Sequence, residues 1–293
     1  MNLSGWLGAP PAPLARVLSQ RLELFEQKYS RHESWPILAL PRAQSAIYTI
    51  PADRAAALAA GCALFFLAAD IIDDAQDGDL PEGTQWPEAV NAGQALLFAA
   101  LGALSSAAPD APVAREVYEA GRRLAFGQAI DLAATWESAP SEDTVMAAVR
   151  GKSGASIALF ARMGAHAAGC PAAEVATWGE IGELLGTAIQ LRSDVGDLAQ
   201  EGSSDFRGRK ATLPIAYAVS RAGEAFLAPA RAGDRPAAYQ ALRASGALTF
   251  VNFKVDGLVL EAKTAAQTLH LPAEGKSRID DVIDGATALP LAI

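Results

Sequence analysis

Two acidic stretches contain the side chains best suited to chemistry. In the first, Asp70, Asp73 and Asp77 are spaced i, i+3 and i+7, so a helix would place them on one stripe, with Asp74 beside them. Such a stripe repels itself, and Mg²⁺, which prefers oxygen ligands, would remove that penalty. The pattern therefore predicts a magnesium site, with a solvated helix end as the alternative.

The second stretch follows an apolar run in the same way. Gln190, Asp194 and Asp197 stand at i, i+4 and i+7 after the apolar residues 184–189, and the hydroxyl of Ser193 could add a ligand. If two helices of a bundle face each other with acids at the same end, the space between them becomes a metal-lined mouth above an apolar cavity. Together the two stretches favour metal binding over two solvated helix faces.

The elements that must position these residues are predicted to be helices. Ala and Leu dominate, and no alternating β-branched run is long enough to require a sheet. The expected fold class is all-α, with residues 1–293 forming a single helical bundle around a central apolar cavity. Within it, 1–35 would form an N-terminal helix or arm, and 246–293 would form less certain helices.

Gly, Pro and Ser clusters predict where the helices are interrupted. Such clusters occur at 33–41, 201–208 and 229–236, among other places. Between two of these interruptions, one continuous helix is predicted over 143–168, ended by Gly169 as a left-handed cap.

The charge balance excludes one large class of partner. The 293 residues include 33 acids against 24 bases, a formal charge of −9, whereas a nucleic-acid surface needs clustered Lys and Arg. The longest apolar run, 55–69, is shorter than the ~20 residues that span hydrocarbon, so it predicts a buried helix and no integral membrane segment. Residues 1–13 lack the pattern of a secretory signal, and a cytoplasmic location is expected.

Five motifs along the chain resemble those of a known family. In order, they are DDAQD at 73–77, GQAIDL at 127–132, RGKSGA at 150–155, GTAIQLRSDVGD at 186–197 and GRKATLP at 208–214. In these motifs and their order, the chain resembles the trans-isoprenyl (polyprenyl) diphosphate synthases, which have the class I isoprenoid synthase fold. The resemblance covers roughly residues 24–218.

The resemblance implies a homodimer and a site that binds and ionises a prenyl diphosphate. About two or three Mg²⁺ ions would be bound by Asp73, Asp74, Asp77, Ser193, Asp194 and Asp197. The catalytic residues would be Asp73, Asp77, Lys152, Gln190 and Asp194. The substrate would contact Lys152, Lys210, Arg192 and Gln128 and, in the apolar part, Ala68, Ala69, Phe65 and Phe66.

The apolar residues that precede Asp73 are expected to determine the length of prenyl chain that the cavity can hold. Ala68 and Ala69 lie about one turn behind the acidic motif and leave space, whereas Phe65 and Phe66 lie ~5 Å deeper. A prenyl chain of about C15–C20 is therefore expected to enter.

Two departures from the family pattern concern a second substrate, isopentenyl diphosphate. The basic motif expected before the first acidic helix is replaced by LALPRA at 38–43, which leaves at most Arg42, and the arginine pair expected after that helix is replaced by DLPEG at 79–83. Charge-assisted bonds to phosphate contribute about 1.5–3 kcal/mol each. Their loss makes a second diphosphate site unexpected. In addition, Ser193 stands where the second acidic motif should have an aspartate.

The missing second site favours one function over its alternatives. The favoured function is a Mg²⁺-dependent terpene synthase of prenyl-synthase ancestry, which ionises one allylic prenyl diphosphate and then cyclises, deprotonates or hydroxylates the cation. The alternative is a prenyltransferase that uses isopentenyl diphosphate or a peptide or aromatic acceptor. A non-catalytic subunit of a heteromeric synthase is less favoured, because the first acidic motif is complete.

Overall fold

The computed structural model describes residues 3–28, 36–199, 206 and 208–288. Within this part of the chain, the regular secondary structure is helical, and β-structure is limited to one isolated bridge between Thr135 and Lys210. The expected all-α fold is confirmed. The expectation that the whole chain forms one domain stays a prediction.

The α-helices are numbered here in chain order. They are α1 Ala12–Lys28, α2 Pro36–Ile47, α3 Ala52–Asp77, α4 Trp86–Ala107, α5 Val113–Ala133, α6 Glu142–Val149, α7 Ala155–Ala167, α8 Ala172–Ala199, α9 Leu213–Ala222, α10 Glu224–Arg231, α11 Arg235–Ala244, α12 Ala247–Gln267 and α13 Ala273–Thr287.

Helix α3 carries the first acidic motif at its carboxyl end. The helix ends at Gly78, which adopts a left-handed conformation (φ 77°) and donates its N–H to the carbonyl of Asp74. The small residues of α3 allow α4 to pack closely against it. At Gly61, for example, a Cβ would lie 2.6 Å from a methyl carbon of Leu104. The motif thus occupies the negative end of the helix dipole, where acids are unfavourable and cations are favourable.

The continuous helix predicted over 143–168 is wrong in one place. A π-helical turn, Arg150–Gly154, separates α6 from α7. The π-turn lies in close contact with α5, as the glycines show: a Cβ on Gly151 would lie 2.8 Å from the Cα of Gly127. The turn contains Lys152, and π-turns of this kind are frequent at functional sites.

The interruptions predicted at 33–41 and 229–236 are wrong in part, because Pro41 and Pro229 lie inside helices. A proline removes only one backbone hydrogen bond, and in α2 the buried residues from Ile37 to Leu40 offset that loss. The interruption predicted at 201–208 lies outside the described residues, except for 206 and 208.

The two ends of the described chain are helices packed on the bundle. In α1, Val17, Leu18 and Phe25 are buried, so this helix belongs to the core and is not a free arm; residues 29–35 lie outside the description. The less certain region 246–293 contains α12 and α13, and the apolar face of α12 packs on α8 through residues such as Val251.

Among the described residues, two helices, α3 and α4, are long and apolar enough by length and composition to cross a membrane. In α3, 61% of the apolar window is buried inside the bundle, as expected of a core helix, whereas in α4 the buried share is 39%. The expectation of no integral membrane segment stays a prediction.

Candidate active site

The acids of α3 and α8 face one cavity of about 380 Å³, which lies among α2, α3, α5, the π-turn and α8. The predicted residues that line it are Phe66, Ala69, Asp73, Asp74, Asp77, Lys152, Gln190, Ser193, Asp194, Asp197 and Lys210. The structure therefore brings the two acidic stretches together, as their spacing predicted.

Of the apolar residues predicted to contact substrate, only one of each adjacent pair faces the cavity. Phe66 and Ala69 line it. Phe65 instead packs edge-on against Phe160, with ring centroids 6.0 Å apart, and Ala68 is buried in the core. Placing both members of each pair in the cavity is wrong, because successive residues of a helix point about 100° apart.

Gln128 and Arg192 were also predicted to contact substrate, and neither lines the cavity. Gln128 is buried in α5, and both polar atoms of its amide lack a hydrogen-bond partner among the described residues. Arg192 lies on α8 between the lining residues Gln190 and Ser193, but it is not itself among the residues that line the cavity.

One wall of the cavity is a charged cluster, which we call the lysine side. It consists of Asp73, Asp77, Asp131, Lys152 and Lys210. The Nζ of Lys152 lies 3.0 Å from Oδ1 of Asp73 and 2.8 Å from Oδ2 of Asp131. The Nζ of Lys210 donates to Asp77 and lies 3.5 Å from the same oxygen of Asp131. Asp131 therefore links the two lysines.

Lys210 is placed by a short backbone pairing with the end of α5. The N–H of Trp136 donates to the carbonyl of Arg209 at 3.0 Å, and the N–H of Ala211 donates to that of Ala134 at 3.1 Å. These bonds fix the chain on both sides of Lys210. Its side chain consequently reaches the carboxyl end of α3.

Burial and pairing act in opposite directions on the pKa values of the lysine side. Burial alone would raise the pKa of Asp131, but the ammonium groups of Lys152 and Lys210 hold it below its usual range. Burial would lower the pKa of either lysine, yet the surrounding carboxylates raise both. The pKa of Asp77 is raised by burial, although Lys210 opposes this. Both lysines are thus fully charged at neutral pH.

A second charged cluster, which we call the arginine side, consists of Arg21, Asp70 and Asp74. Nη1 of Arg21 lies 3.1 Å from Oδ2 of Asp70, and Nη2 lies 2.6 Å from Oδ2 of Asp74. Burial raises the pKa of Asp74, although the guanidinium opposes this. Asp74, predicted to bind metal, is therefore in contact with an arginine from α1.

On α8, the acids are ordered by a chain of side-chain hydrogen bonds. Ser153 of the π-turn donates to Oε1 of Gln190 at 2.6 Å, and Nε2 of Gln190 donates to Oδ1 of Asp194 at 2.8 Å. Asp194 is only 4% exposed. Gln190 thus orients a buried carboxylate at the cavity wall.

Sequence reasoning missed Asp131 and Arg21. Asp131 belongs to the GQAIDL motif, and its place in that motif was the signal that could have identified it as a site residue. Arg21 gave none, because its partners lie 49 and 53 residues away.

The donor set suits a hard dication. Asp73, Asp77, Asp131 and Asp194 offer carboxylate oxygens, which Mg²⁺ prefers. Among the described residues, no three His, Cys, Asp or Glu side chains form a group that could hold an ion as they stand. Asp73 and Asp77 contact lysines instead, so binding a metal requires these side chains to exchange partners.

A comparison with protein families matches the polyprenyl synthetase model to residues 54–234. The chain belongs to the polyprenyl synthetase family. The match includes the π-turn and every residue of the lysine side, but it excludes α1 and Arg21.

Among curated proteins, the chain is similar to a nonaprenyl diphosphate synthase of Mycobacterium tuberculosis, with 28% identity over 165 residues, 53% of this chain and 49% of the relative. It is also similar to a geranylfarnesyl diphosphate synthase of Aeropyrum pernix, with 38% identity over 114 residues, 36% of this chain and 35% of the relative. The matched segments thus span half or less of each of these relatives.

Two solved structures share the fold over almost their whole length. A polyprenyl synthetase from Streptomyces coelicolor has a TM-score of 0.81 at 18% identity, covering 97% of this chain and 95% of that one. A polyprenyl synthase from Caulobacter crescentus, solved with calcium and isoprenyl diphosphate, has a TM-score of 0.79 at 23% identity and 94% coverage of both chains. At these identities the similarity establishes the fold.

Proposed function

We propose that this family member is a prenyltransferase that ionises an allylic prenyl diphosphate at the lysine side and joins the prenyl group to isopentenyl diphosphate. The similar curated proteins are prenyl diphosphate synthases, which favours this alternative over the terpene synthase that the sequence favoured. The observation that carries the ionisation step is the lysine side, where two charged lysines and the carboxylates of Asp73, Asp77 and Asp131 border one cavity.

The two lysines are placed to stabilise the leaving group. The Nζ atoms of Lys152 and Lys210 are paired with Asp73, Asp77 and Asp131. When a diphosphate enters, the ammonium groups would turn toward its oxygens while Asp131 keeps them in place. As the allylic C–O bond breaks, negative charge grows on the diphosphate, and pre-placed cations are most effective there.

Mg²⁺ would be held by Asp73 and Asp77 on one wall and by Asp194 on the other, with Asp131, Ser193 and Asp197 also within the cavity or its edge. When bound, it supplies further positive charge to the departing diphosphate.

The apolar part of the cavity would hold the prenyl chain. Ile37, Phe66, Ile157 and Ile189 line it beyond the acids, and they would keep water from the carbocation. Phe66 lies seven residues before Asp73, ~10 Å along the helix. Phe66 would therefore form the floor that limits chain length.

A terpene synthase is the second candidate, and the arginine side favours it. The guanidinium of Arg21 is already paired with two carboxylates. Arg42, the basic residue left from the expected motif, is exposed and does not line the cavity. On this side, the described residues therefore offer a second diphosphate little positive charge.

Product analysis separates the two candidates. The purified chain would be incubated with geranyl, farnesyl and geranylgeranyl diphosphates and Mg²⁺, with and without labelled isopentenyl diphosphate. A longer, labelled prenyl diphosphate is the result expected from the proposal. A hydrocarbon or alcohol formed without isopentenyl diphosphate would favour the terpene synthase, and no release of diphosphate from any substrate would contradict both.

A homodimer is also proposed, and the surface of α4 and α5 supports it. Large side chains on these helices are exposed, namely Trp86, Phe98, Tyr118 and Phe126, with Phe98 72% exposed. Apolar patches of this kind commonly mark protein interfaces. Light scattering should report a dimer mass for the wild type and a monomer mass for Phe98→Glu; a monomeric wild type would contradict the proposal.

A further inference from the structure

Helix α1 packs mainly on α4 and also contacts α3 through the side chains of Phe25 and Arg21. At the floor, Phe25 packs against Phe66, with ring centroids 6.4 Å apart. One turn away, Arg21 reaches Asp70 and Asp74 at the acidic motif. Helix α1 therefore contacts α3 at residues that line the cavity, although the family match begins only at residue 54.

Packing alone does not account for Arg21. The residue is 5% exposed, and its Nε is buried without a hydrogen-bond partner among the described residues. A buried, incompletely paired guanidinium is costly compared with an apolar side chain of similar volume. It also cannot lose its charge, because arginine stays protonated in proteins. Its contacts therefore fix the partners of Asp70 and Asp74.

We propose that Arg21 is a positioning residue of the active site. It withdraws Asp74 from the metal-binding carboxylates and offsets the charge of Asp70 and Asp74 at the cavity wall. Helix α3 then provides Asp73 and Asp77 for Mg²⁺. This inference rests on the proposed function, because it concerns the diphosphate that the lysine side would bind.

The charge balance gives the expected size of the effect. Asp70 and Asp74 both line the cavity that must accept a polyanion. Without Arg21, two carboxylates would repel that anion, and partly buried charges are screened less than exposed ones. Removing Arg21 changes the charge at this wall by one unit, and one unit charge acting on another at ~10 Å with an effective dielectric constant of about 20 weakens binding about tenfold.

Calorimetry of Mg²⁺ with inorganic pyrophosphate tests the inference without requiring turnover. Arg21→Met should bind pyrophosphate about tenfold more weakly than the wild type. The matched control is Arg16→Met on the same helix, which removes an exposed ion pair to Glu88 (2.8 Å) and should leave pyrophosphate binding unchanged. This control separates the charge of Arg21 from the docking of α1.

A charge-neutral variant, Arg21→Met with Asp70→Asn and Asp74→Asn, provides the second measurement. It should recover pyrophosphate and Mg²⁺ binding to within about twofold of the wild type, and it is compared with the wild type directly if Arg21→Met does not fold. The inference is overturned if Arg21→Met binds normally, or if the triple variant stays weak or fails to fold, since Arg21 would then be structural. A wild type that binds no pyrophosphate would instead refute the proposed function.

Discussion

The lysine side and the arginine side both pair cations with aspartates of the same helix end, but they differ in access. The side chains of Lys152 and Lys210 are 21% and 20% exposed at the cavity, whereas that of Arg21 is 6% exposed. An ammonium on a flexible stem can exchange one anion for another, whereas a buried guanidinium spanning two carboxylates cannot do so cheaply.

This difference assigns separate tasks to adjacent residues. Asp73 and Asp74 are neighbours in the chain, yet the first contacts a lysine whose side chain is partly exposed at the cavity and the second contacts an arginine that is buried. The aspartates of the acidic motif therefore fall into two groups, according to whether they contact a lysine or Arg21. We propose that one group is available for metal and diphosphate, whereas the other contacts Arg21 of α1.

The largest expected effect separates these two neighbours. Asp73→Asn should lower turnover by about 10³-fold or more, because it removes a carboxylate proposed to hold Mg²⁺. Asp74→Asn should lower it less than about tenfold. Initial rates of diphosphate release, with circular dichroism as the check on folding, measure both. Equal losses would contradict the division of the motif.

The next effect concerns the leaving group. Lys210→Met should reduce kcat by about 10²–10³-fold, because one pre-placed cation is lost. Lys263→Met is the matched control, since that lysine pairs with Asp284 on α13, away from the cavity. If the two variants turned over equally fast, Lys210 would have no role in ionisation.

Replacing each of the adjacent residues Phe65 and Phe66 by alanine should have a different effect. Phe66→Ala opens the cavity floor and should shift the preferred prenyl chain by about one C5 unit, ~5 Å. Phe65→Ala should instead cost about 3–5 kcal/mol of unfolding free energy, because it leaves a hole in the core beside Phe160. Products are analysed by mass spectrometry and stability by denaturant unfolding. Lengthened products from Phe65→Ala alone would reverse the assignment.

The smallest effect is a difference of sign in the pH dependence of stability. The pKa of Asp131 is lowered in the folded state, so its stabilising contribution is present above its unfolded pKa and is lost as the pH falls. The pKa of Asp74 is raised, so the folded state gains stability as the pH falls through that raised value.

Between about pH 6 and 3, Asp131→Asn should therefore gain stability relative to the wild type, while Asp74→Asn should lose it. Urea unfolding at several pH values measures both differences. The same sign for the two variants would contradict the opposite pKa shifts of Asp131 and Asp74.

The sequence predicted the fold class, because that follows from helical periodicity. The meeting of the acidic stretches was a hypothesis, since periodicity places acids on one face of each helix but does not say which helices face each other. The sequence did not predict the π-turn, where Gly151 lies against Gly127 of α5, because such a contact between distant segments leaves no periodic signal. It could not decide between Phe65 and Phe66, because that choice requires the rotation of α3 within the bundle. The role of Arg21 could not be predicted from the sequence, because only tertiary packing brings α1 to the acidic motif.

A crystal structure with Mn²⁺ and a thiolodiphosphate analogue of farnesyl diphosphate would test the central claim most directly. The diphosphate should contact Lys152 and Lys210, with anomalous peaks for Mn²⁺ at Asp73 and Asp77 and with Asp74 still paired to Arg21. A diphosphate bound against Arg21, or Mn²⁺ ligated by Asp74, would contradict the account.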